Sequence, residues 1–457
     1  MRILSGKNFS RDMTEGPIIR HLILYTIPLF IGSVFQVLYG AADSIILGNF
    51  VSVQALAAAS ATSFITNIFV FFFTGFSTGA SVVIGRAFGA KDGKKVHDAM
   101  STAIAISFLF CAVFTAAGLA FANPILRVFS TPEDVFSDAS VYLRIYFAGI
   151  SGLLLLNICC GILRAMGDTV HPLIFLAASN VLNIVLDLIF VVALKMGIAG
   201  AALGTIISQM AAAAALLALI SRKDNEYRLQ WSDLHVRPDI RKQILDIGLP
   251  AGIQSIIGAV SNAVLQRYVN VFGSTVVAGW TGYNVMNNFI SIPMNSLAIS
   301  ATIFVSQNLG AGQHKRVRAG IRTSNLLTLG VTAVLCSFVF ILANPMIKLF
   351  NNTPEVVQYG SLFIKLNVPP LILYSVGHTL TGSMRGLGDS KNVMYMKLAY
   401  FIGLRQLYLF FVTKYMFNTP AAVALSVPFS WIIGTVVELI YFKVRWSKRI
   451  ENGEVSA

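Results

Sequence analysis

Two aspartates stand inside apolar stretches that contain very few other charges. Asp43 lies in the segment QVLYGAADSIILG and Asp187 in SNVLNIVLDLIF. A carboxylate in hydrocarbon costs several kcal/mol unless it lines a wet cavity or meets a partner, so such residues commonly mark an ion or proton pathway. The alternative is that each is a structural acid, stabilised by neighbouring hydroxyls and helix dipoles.

Further polar residues accompany these acids. Asn183 precedes Asp187 by four residues, which places both on one face of a helix, and Asn180 lies about one turn further back. Counting about 1.5 Å per residue along each helix puts Asp43, Asp187 and Thr205 in the outer half of a membrane. Such a group of carboxylates, amide and hydroxyl could accept protons or coordinate Na⁺, and the sequence leaves both open.

Composition places these residues in a membrane protein. The chain of 457 residues is 56% hydrophobic and 12% charged, whereas soluble domains have about 25% charged residues. Apolar runs of about 20 residues predict membrane-spanning helices rather than barrel strands. We therefore expect an all-α polytopic membrane protein with twelve transmembrane helices, near residues 20–46, 53–78, 97–121, 138–160, 172–193, 198–221, 244–271, 278–304, 319–342, 358–381, 393–415 and 420–443.

The distribution of positive charge indicates the orientation. Net charge is +14, and most Lys and Arg residues fall in the N-terminal leader, alternate loops and the C-terminal tail. This pattern predicts a multi-pass protein of the plasma (cytoplasmic) membrane with both termini cytoplasmic. Because the charges are spread over many short loops, we expect no nucleic-acid partner. The four cysteines lack metal-ligand spacing, and no nucleotide-binding GxxxxGK[ST] motif occurs, so we expect no cofactor.

The chain repeats itself at an offset of about 221 residues. GILRAMGD at 161–168 matches GSMRGLGD at 382–389, and Pro28 pairs with Pro250. This repeat predicts two pseudo-symmetric six-helix lobes that are related by an axis along the membrane normal. The predicted organisation is an N-terminal lobe with the cation site (1–220), a cytoplasmic linker (221–242), a C-terminal lobe (243–445) and a cytoplasmic tail (446–457). Pro28 favours a kink that is either static or coupled to protonation of Asp43.

With these residues the chain resembles the multidrug and toxic compound extrusion (MATE) transporters, in particular their DinF-like branch. The resemblance covers about residues 16–445 and includes the RAMGD and RGLGD loops and the segment GIAGAALGT. It implies an N-lobe cation site for H⁺ or Na⁺ formed by Asp43, Asn183, Asp187 and Thr205. The family's tyrosine before the first aspartate is matched by Tyr39, and its bending proline by Pro28. The C-terminal lobe has no matching acids, so a second cation site is not expected there.

We expect the residues that contact the substrate to lie in spans one, seven and eight, which should border a central cleft between the lobes. Aromatic and methionine side chains accept many flat apolar cations, although rows of such side chains along a helix also serve helix packing. The candidates are Gln36, Gln254, Asn262, Tyr283, Met286 and Met294.

These features predict a secondary active multidrug efflux antiporter, not an enzyme. We expect a monomer in the lipid bilayer that exports small amphipathic or cationic compounds in exchange for H⁺ or Na⁺. One alternative is a lipid-linked oligosaccharide flippase of the same superfamily. Another, from a different class, is an intramembrane lipid-modifying enzyme, which would need Asp-rich metal motifs that the sequence lacks.

Overall fold

The computed structural model describes residues 11–51, 53–129, 131–222 and 227–455, and it contains helices but no β-strand within these ranges. Residues 1–10 of the predicted N-terminal lobe, 223–226 of the linker and 456–457 of the tail lie outside the described residues. The predicted all-α fold class is confirmed.

Among the residues that the structure describes, the first half of the chain forms seven α-helices. A π-helical segment, Leu188–Ala193, continues α6 without a break. A short 3₁₀ turn, Trp231–Asp233, lies in the linker. The helices are α1 (Ile18–Phe50), α2 (Val53–Gly89), α3 (Gly93–Val128), α4 (Glu133–Ala148), α5 (Ile150–Ala165), α6 (Val170–Asp187) and α7 (Gly197–Ile220).

The described part of the second half forms nine further α-helices. Two more π-helical segments, Leu398–Leu404 and Lys443–Ser447, follow α13 and α15. The helices are α8 (Pro238–Asn270), α9 (Ser274–Gly310), α10 (His314–Ile341), α11 (Ala343–Lys348), α12 (Pro354–Gly386), α13 (Ser390–Lys397), α14 (Arg405–Tyr415), α15 (Pro420–Phe442) and α16 (Lys448–Glu451).

Each of the twelve predicted spans coincides with helical structure. Within the described ranges, ten helices are long and apolar enough to cross a membrane, and α4 with α5, bent by 47°, adds an eleventh. The predicted span 393–415 is helical too, but it is divided among α13, a π-helical segment and α14. It also carries Lys397 and Arg405, both buried.

The helices form two compact units, and the boundaries between these units fall inside α1 and α8. The first consists mainly of Pro28–Gly252, and the second of Met13–Ile27 with Ile253–Ala457. The sequence-based division at 221–242 follows chain order. The compact units instead change between Ile27 and Pro28 and again between Gly252 and Ile253.

Each unit has its own hydrophobic core. In the first, Phe69 and Phe73 on α2 pack against Phe114 and Phe147 with ring centroids 5.1–5.9 Å apart. In the second, Trp280 packs on Tyr283 and Phe363 at 4.9 and 5.2 Å.

Backbone geometry repeats along with the sequence. Gly167 and Gly388, in the RAMGD and RGLGD loops, adopt left-handed φ values of +83° and +85°, a region that glycine enters without steric penalty. In the first of these loops Asp168 accepts hydrogen bonds from the backbone N–H groups of Val170 and His171 at 3.0 and 3.1 Å. The aspartate thus binds free amides at the start of α6, as an N-cap does.

Candidate functional site

The C-terminal end of α6 carries a buried carboxylate. Asp187 is 0% exposed and Asn183, one turn earlier, is 2% exposed. The two carboxylate oxygens of Asp187 and the amide oxygen of Asn183 are buried and, apart from the interaction of Asp187 with the carboxyl of Asp43, have no hydrogen-bond partner among the described residues. Unpaired buried polar atoms are unfavourable, and a cluster of three calls for an explanation such as an ion.

A π-helical segment begins directly after Asp187. π-helical turns are rare and occur frequently at functional sites. The apolar sequence LIFVVA that forms this segment gave no indication of it.

Thr205 on α7 orients the amide of Asn183. Its Oγ1 donates to the carbonyl of Ala201 at 3.1 Å and accepts from Asn183 Nδ2 at 3.3 Å. The hydroxyl of Tyr39 on α1 lies 3.5 Å from the same oxygen. Since Nδ2 of Asn183 is held by Thr205, the unpartnered atom of this amide is its oxygen.

Gly204 lets α7 approach the carboxylate closely. A Cβ at this position would lie 2.4 Å from Oδ1 of Asp187. Only glycine fits such a separation, so the close contact depends on the residue that precedes Thr205. The segment GIAGAALGT marked the start of this helix in the sequence, but it did not reveal the contact.

Asp43 on α1 completes the acidic pair. Its carboxyl is partly exposed and interacts electrostatically with that of Asp187. The hydroxyl of Tyr142 on α4 is within electrostatic range of both carboxyls, a participant that the sequence did not indicate. Among the described residues no Lys, Arg or His forms an ion pair with either aspartate.

The structure thus brings together five of the residues predicted for the cation site, Asp43, Asn183, Asp187, Thr205 and Tyr39. The sixth, Asn180, is half-buried and makes no hydrogen bond to the other five within the described part of the chain. Pro28 lies inside the continuous helix α1, where its missing N–H leaves the carbonyl of Leu24 without the usual helical donor.

The substrate candidates occupy varied environments. Gln36 is exposed. Gln254 is buried and donates from Nε2 to the carbonyl of Ser390 at 2.8 Å. Asn262 is exposed and accepts a hydrogen bond from Nη1 of Arg405 at 3.0 Å.

The aromatic and methionine candidates are enclosed in the second unit. Tyr283, Met286 and Met294 are 2%, 9% and 3% exposed. Tyr283 and Met286 belong to the hydrophobic core of that unit. Contact with a substrate would therefore require these side chains to become exposed, and their role stays a prediction.

Comparison with known proteins identifies a family that the chain matches. A family model described as MatE matches the chain twice, over residues 28–189 and 250–411. Both matches begin at the prolines that the internal repeat had paired, Pro28 and Pro250. They jointly cover well over half of the chain.

Relatives and solved structures resemble the chain over nearly its full length. YpnP of Bacillus subtilis (strain 168), named a probable multidrug resistance protein, is 27% identical over 441 residues, 95% of this chain and 97% of that protein. MepA of Staphylococcus haemolyticus (strain JCSC1435), named a multidrug export protein, is 24% identical over 84% of this chain and 85% of its own length. A crystal structure of MATE in the bent conformation is 19% identical, covers 98% of this chain and all of that one, and superposes with a TM-score of 0.91.

Proposed function

The chain belongs to the MatE family of multidrug efflux transporters, and from this premise we propose that it is a secondary active antiporter driven by H⁺ or Na⁺. Members of this family are transporters rather than enzymes. The finer assignment, which ion drives export and where it binds, rests on the site in the first unit.

One observation carries the proposal. Asp187 is fully buried, and apart from a second carboxyl, that of Asp43, its carboxylate oxygens have no hydrogen-bond partner among the described residues. Two carboxylates that share an enclosed place cannot both stay charged without a proton or a cation between them. The amide oxygen of Asn183 supplies a further neutral ligand, which suits a hard cation such as Na⁺.

Thr205 and Tyr39 have a supporting role in this proposal. Thr205 Oγ1 already donates to Ala201 and accepts from Asn183, so its main contribution is to hold the amide in place. The ion is held chiefly by the oxygens of Asp43, Asn183 and Asp187. The pair titrates as a unit, so the proton or Na⁺ belongs to both aspartates together.

Coupling follows from differential binding. An ion that binds one conformation more tightly than the other shifts the equilibrium between them, and a substrate that prefers the other conformation reverses the shift. Pro28 lies on the same helix as Asp43 and at the boundary between the two compact units. It is a suitable point for bending when the charge on Asp43 changes.

The exported compounds are proposed to be amphipathic or cationic small molecules. The relatives described above are named for multidrug resistance or export, which supports this class and does not favour the flippase alternative. We propose a monomer in the cytoplasmic membrane with both termini on the cytoplasmic side, in line with the distribution of Lys and Arg.

The test is efflux of a fluorescent organic cation from proteoliposomes that contain the purified chain. Proton and sodium gradients are imposed separately, each with the other ion at equilibrium. Export driven by either gradient supports antiport and identifies the ion. Export that is unaffected by both gradients would overturn the proposal.

A further inference from the structure

A groove in the second unit lies outside the acidic site described above. It has a volume of about 830 Å³, and its walls are residues of α10, α12, α15, α16 and the π-helical segment after α15. Three basic side chains of α10, Lys315, Arg318 and Arg322, line it, and within the described ranges no Asp or Glu does. Its charge is therefore positive.

The lining changes from basic to apolar along α10. Lys315, Arg318 and Arg322 occupy its first turns, and Leu326 and Leu329 follow on the same face. From the first to the last of these residues the helix rises about 21 Å. Because α10 is long and apolar enough to cross a membrane, the groove extends from the charged end of a span into its apolar part.

The second wall of the groove is apolar as well. Leu439 and Phe442 lie at the end of α15, and Ile450 belongs to α16. The groove thus combines a basic end with a hydrophobic interior, as a binding site for an amphiphile of negative charge requires.

The positive charge in the groove is only partly compensated. Arg318 forms an ion pair with Glu451 on α16. Lys315 and Arg322 are exposed and form no ion pair within the part of the chain that the structure describes. These two cations are available to an anionic group.

The internal repeat identifies the equivalent surface in the first unit. At the offset of 221 residues α3 corresponds to α10, with Ser101 at the position of Arg322 and Phe108 at the position of Leu329. The face of α3 that carries Ser101 and Phe108 is therefore the counterpart of the groove wall on α10.

In the first unit the linker covers this face. The backbone N–H of His235 donates to Oγ of Ser101 at 2.8 Å, and the ring of Trp231 packs on that of Phe108 with centroids 6.4 Å apart. The linker thus occupies on α3 the place that is a groove on α10.

The chemistry of the two faces differs. Asp98 on α3 accepts a hydrogen bond at 3.0 Å from Nη1 of Arg237 in the linker, whereas the corresponding residue of α10 is Ala319. The acid that holds the linker is absent from α10, and Arg322 adds a cation where α3 has Ser101. The surface that binds a peptide segment in the first unit is suited to an anion in the second.

We propose that this groove binds one anionic phospholipid, with its phosphate at Lys315 and Arg322 and an acyl chain along Leu329 and Leu439. Guanidinium groups match the geometry of phosphate oxygens. Basic pockets between membrane helices on the cytoplasmic side suit anionic headgroups, and the distribution of Lys and Arg assigns this end of α10 to that side. A bound lipid would hold α10 against α15 and α16.

The test compares two lipids that differ only in the charge of the headgroup. The full-length protein is purified in detergent, delipidated and studied by native mass spectrometry with phosphatidylglycerol or phosphatidylcholine of identical acyl chains. We expect one phosphatidylglycerol to bind per chain at concentrations at which phosphatidylcholine does not. Inorganic phosphate at the same concentration should not displace it, since phosphate has no acyl chain to bury.

Variants locate the site. Lys315→Gln and Arg322→Gln should each weaken binding of phosphatidylglycerol by about fivefold, the usual effect of removing one basic residue that faces an anionic lipid surface. Ala319→Trp keeps every charge but fills the groove, so it should weaken binding as well. The matched control is Lys94→Gln, the exposed counterpart of Lys315 on α3, which should bind as the unmodified chain does.

Thermal unfolding guards against variants that fail to fold. Phosphatidylglycerol should raise the melting temperature of the unmodified chain and of Lys94→Gln, and raise that of Arg322→Gln less, because a ligand stabilises the folded state according to its affinity. Equal binding of the two lipids, displacement by inorganic phosphate alone, or an unchanged affinity of both Arg322→Gln and Ala319→Trp would each overturn the proposal.

Discussion

Replacing Gly204 by alanine tests the proposed cation site through geometry alone. The added Cβ would lie 2.4 Å from Oδ1 of Asp187, whereas ordinary contacts start at 3.4 Å. The carboxylate or α7 must therefore shift by about 1 Å, and overpacking of this kind typically costs about 1–3 kcal/mol. Because the strain falls on Asp187, the proposed ion ligand, the affinity for the coupling ion should fall by about 5- to 150-fold.

The same substitution should leave the protein folded. Alanine is favoured over glycine in a helix by about 1 kcal/mol, which offsets part of the strain. The measurement is efflux from proteoliposomes as a function of the concentration of the coupling ion. A matched control is Gly330→Ala on α10, where a Cβ meets nothing within 4 Å.

We expect half-maximal efflux of the Gly204→Ala variant to need a much higher ion concentration, and that of Gly330→Ala to stay unchanged. If the monodisperse Gly204→Ala protein had the ion dependence of the unmodified chain, the assignment of Asp187 as an ion ligand would be refuted.

Three further predictions concern the amide ligand, the second unit and the orientation. Asn183→Ala removes one neutral oxygen, so coupled efflux should persist with an ion affinity reduced by about tenfold, a smaller effect than loss of either acid; a total loss of coupling would contradict this. Gln254→Ala removes its hydrogen bond to Ser390, so the range of exported drugs should change while the pH or sodium dependence remains; loss of that dependence would move the coupling site. A cysteine at the exposed Gln230 of the linker should react with a membrane-impermeant maleimide only in everted vesicles; labelling of intact cells would reverse the orientation.

The sequence predicted the helices well because membrane spans depend on one strong signal, hydropathy over about 20 residues. It did not predict the break at Gly149 between α4 and α5 or the π-helical segment after Asp187. Both depend on how helices pack. The Cβ of a residue at 149 would lie 2.4 Å from Cβ of Ile206 on α7, a contact that no local pattern encodes.

Within the proposed cation site, sequence spacing predicted which residues share a face of one helix, but it did not predict contacts between helices. The interval of four residues correctly placed Asn183 and Asp187 on one face. Asn180 followed from the same periodicity, yet it makes no hydrogen bond to the residues of the site in the described structure. Tyr142 was missed because its proximity to both acids arises only from tertiary packing.

Composition also could not separate a hydrophobic core from a binding surface. Tyr283 and Met286 have residue types suited to drug binding, but they are packed in the core of the second unit.

The central claim is that the carboxyl pair of Asp43 and Asp187 carries the coupling ion. It is tested most directly by efflux of a fluorescent cation from proteoliposomes that contain Asp43→Asn or Asp187→Asn, under an imposed proton or sodium gradient. Asparagine keeps the shape of the side chain and removes the exchangeable charge. We predict that each variant folds but shows no gradient-driven efflux, whereas efflux like that of the unmodified chain from either variant would contradict the claim.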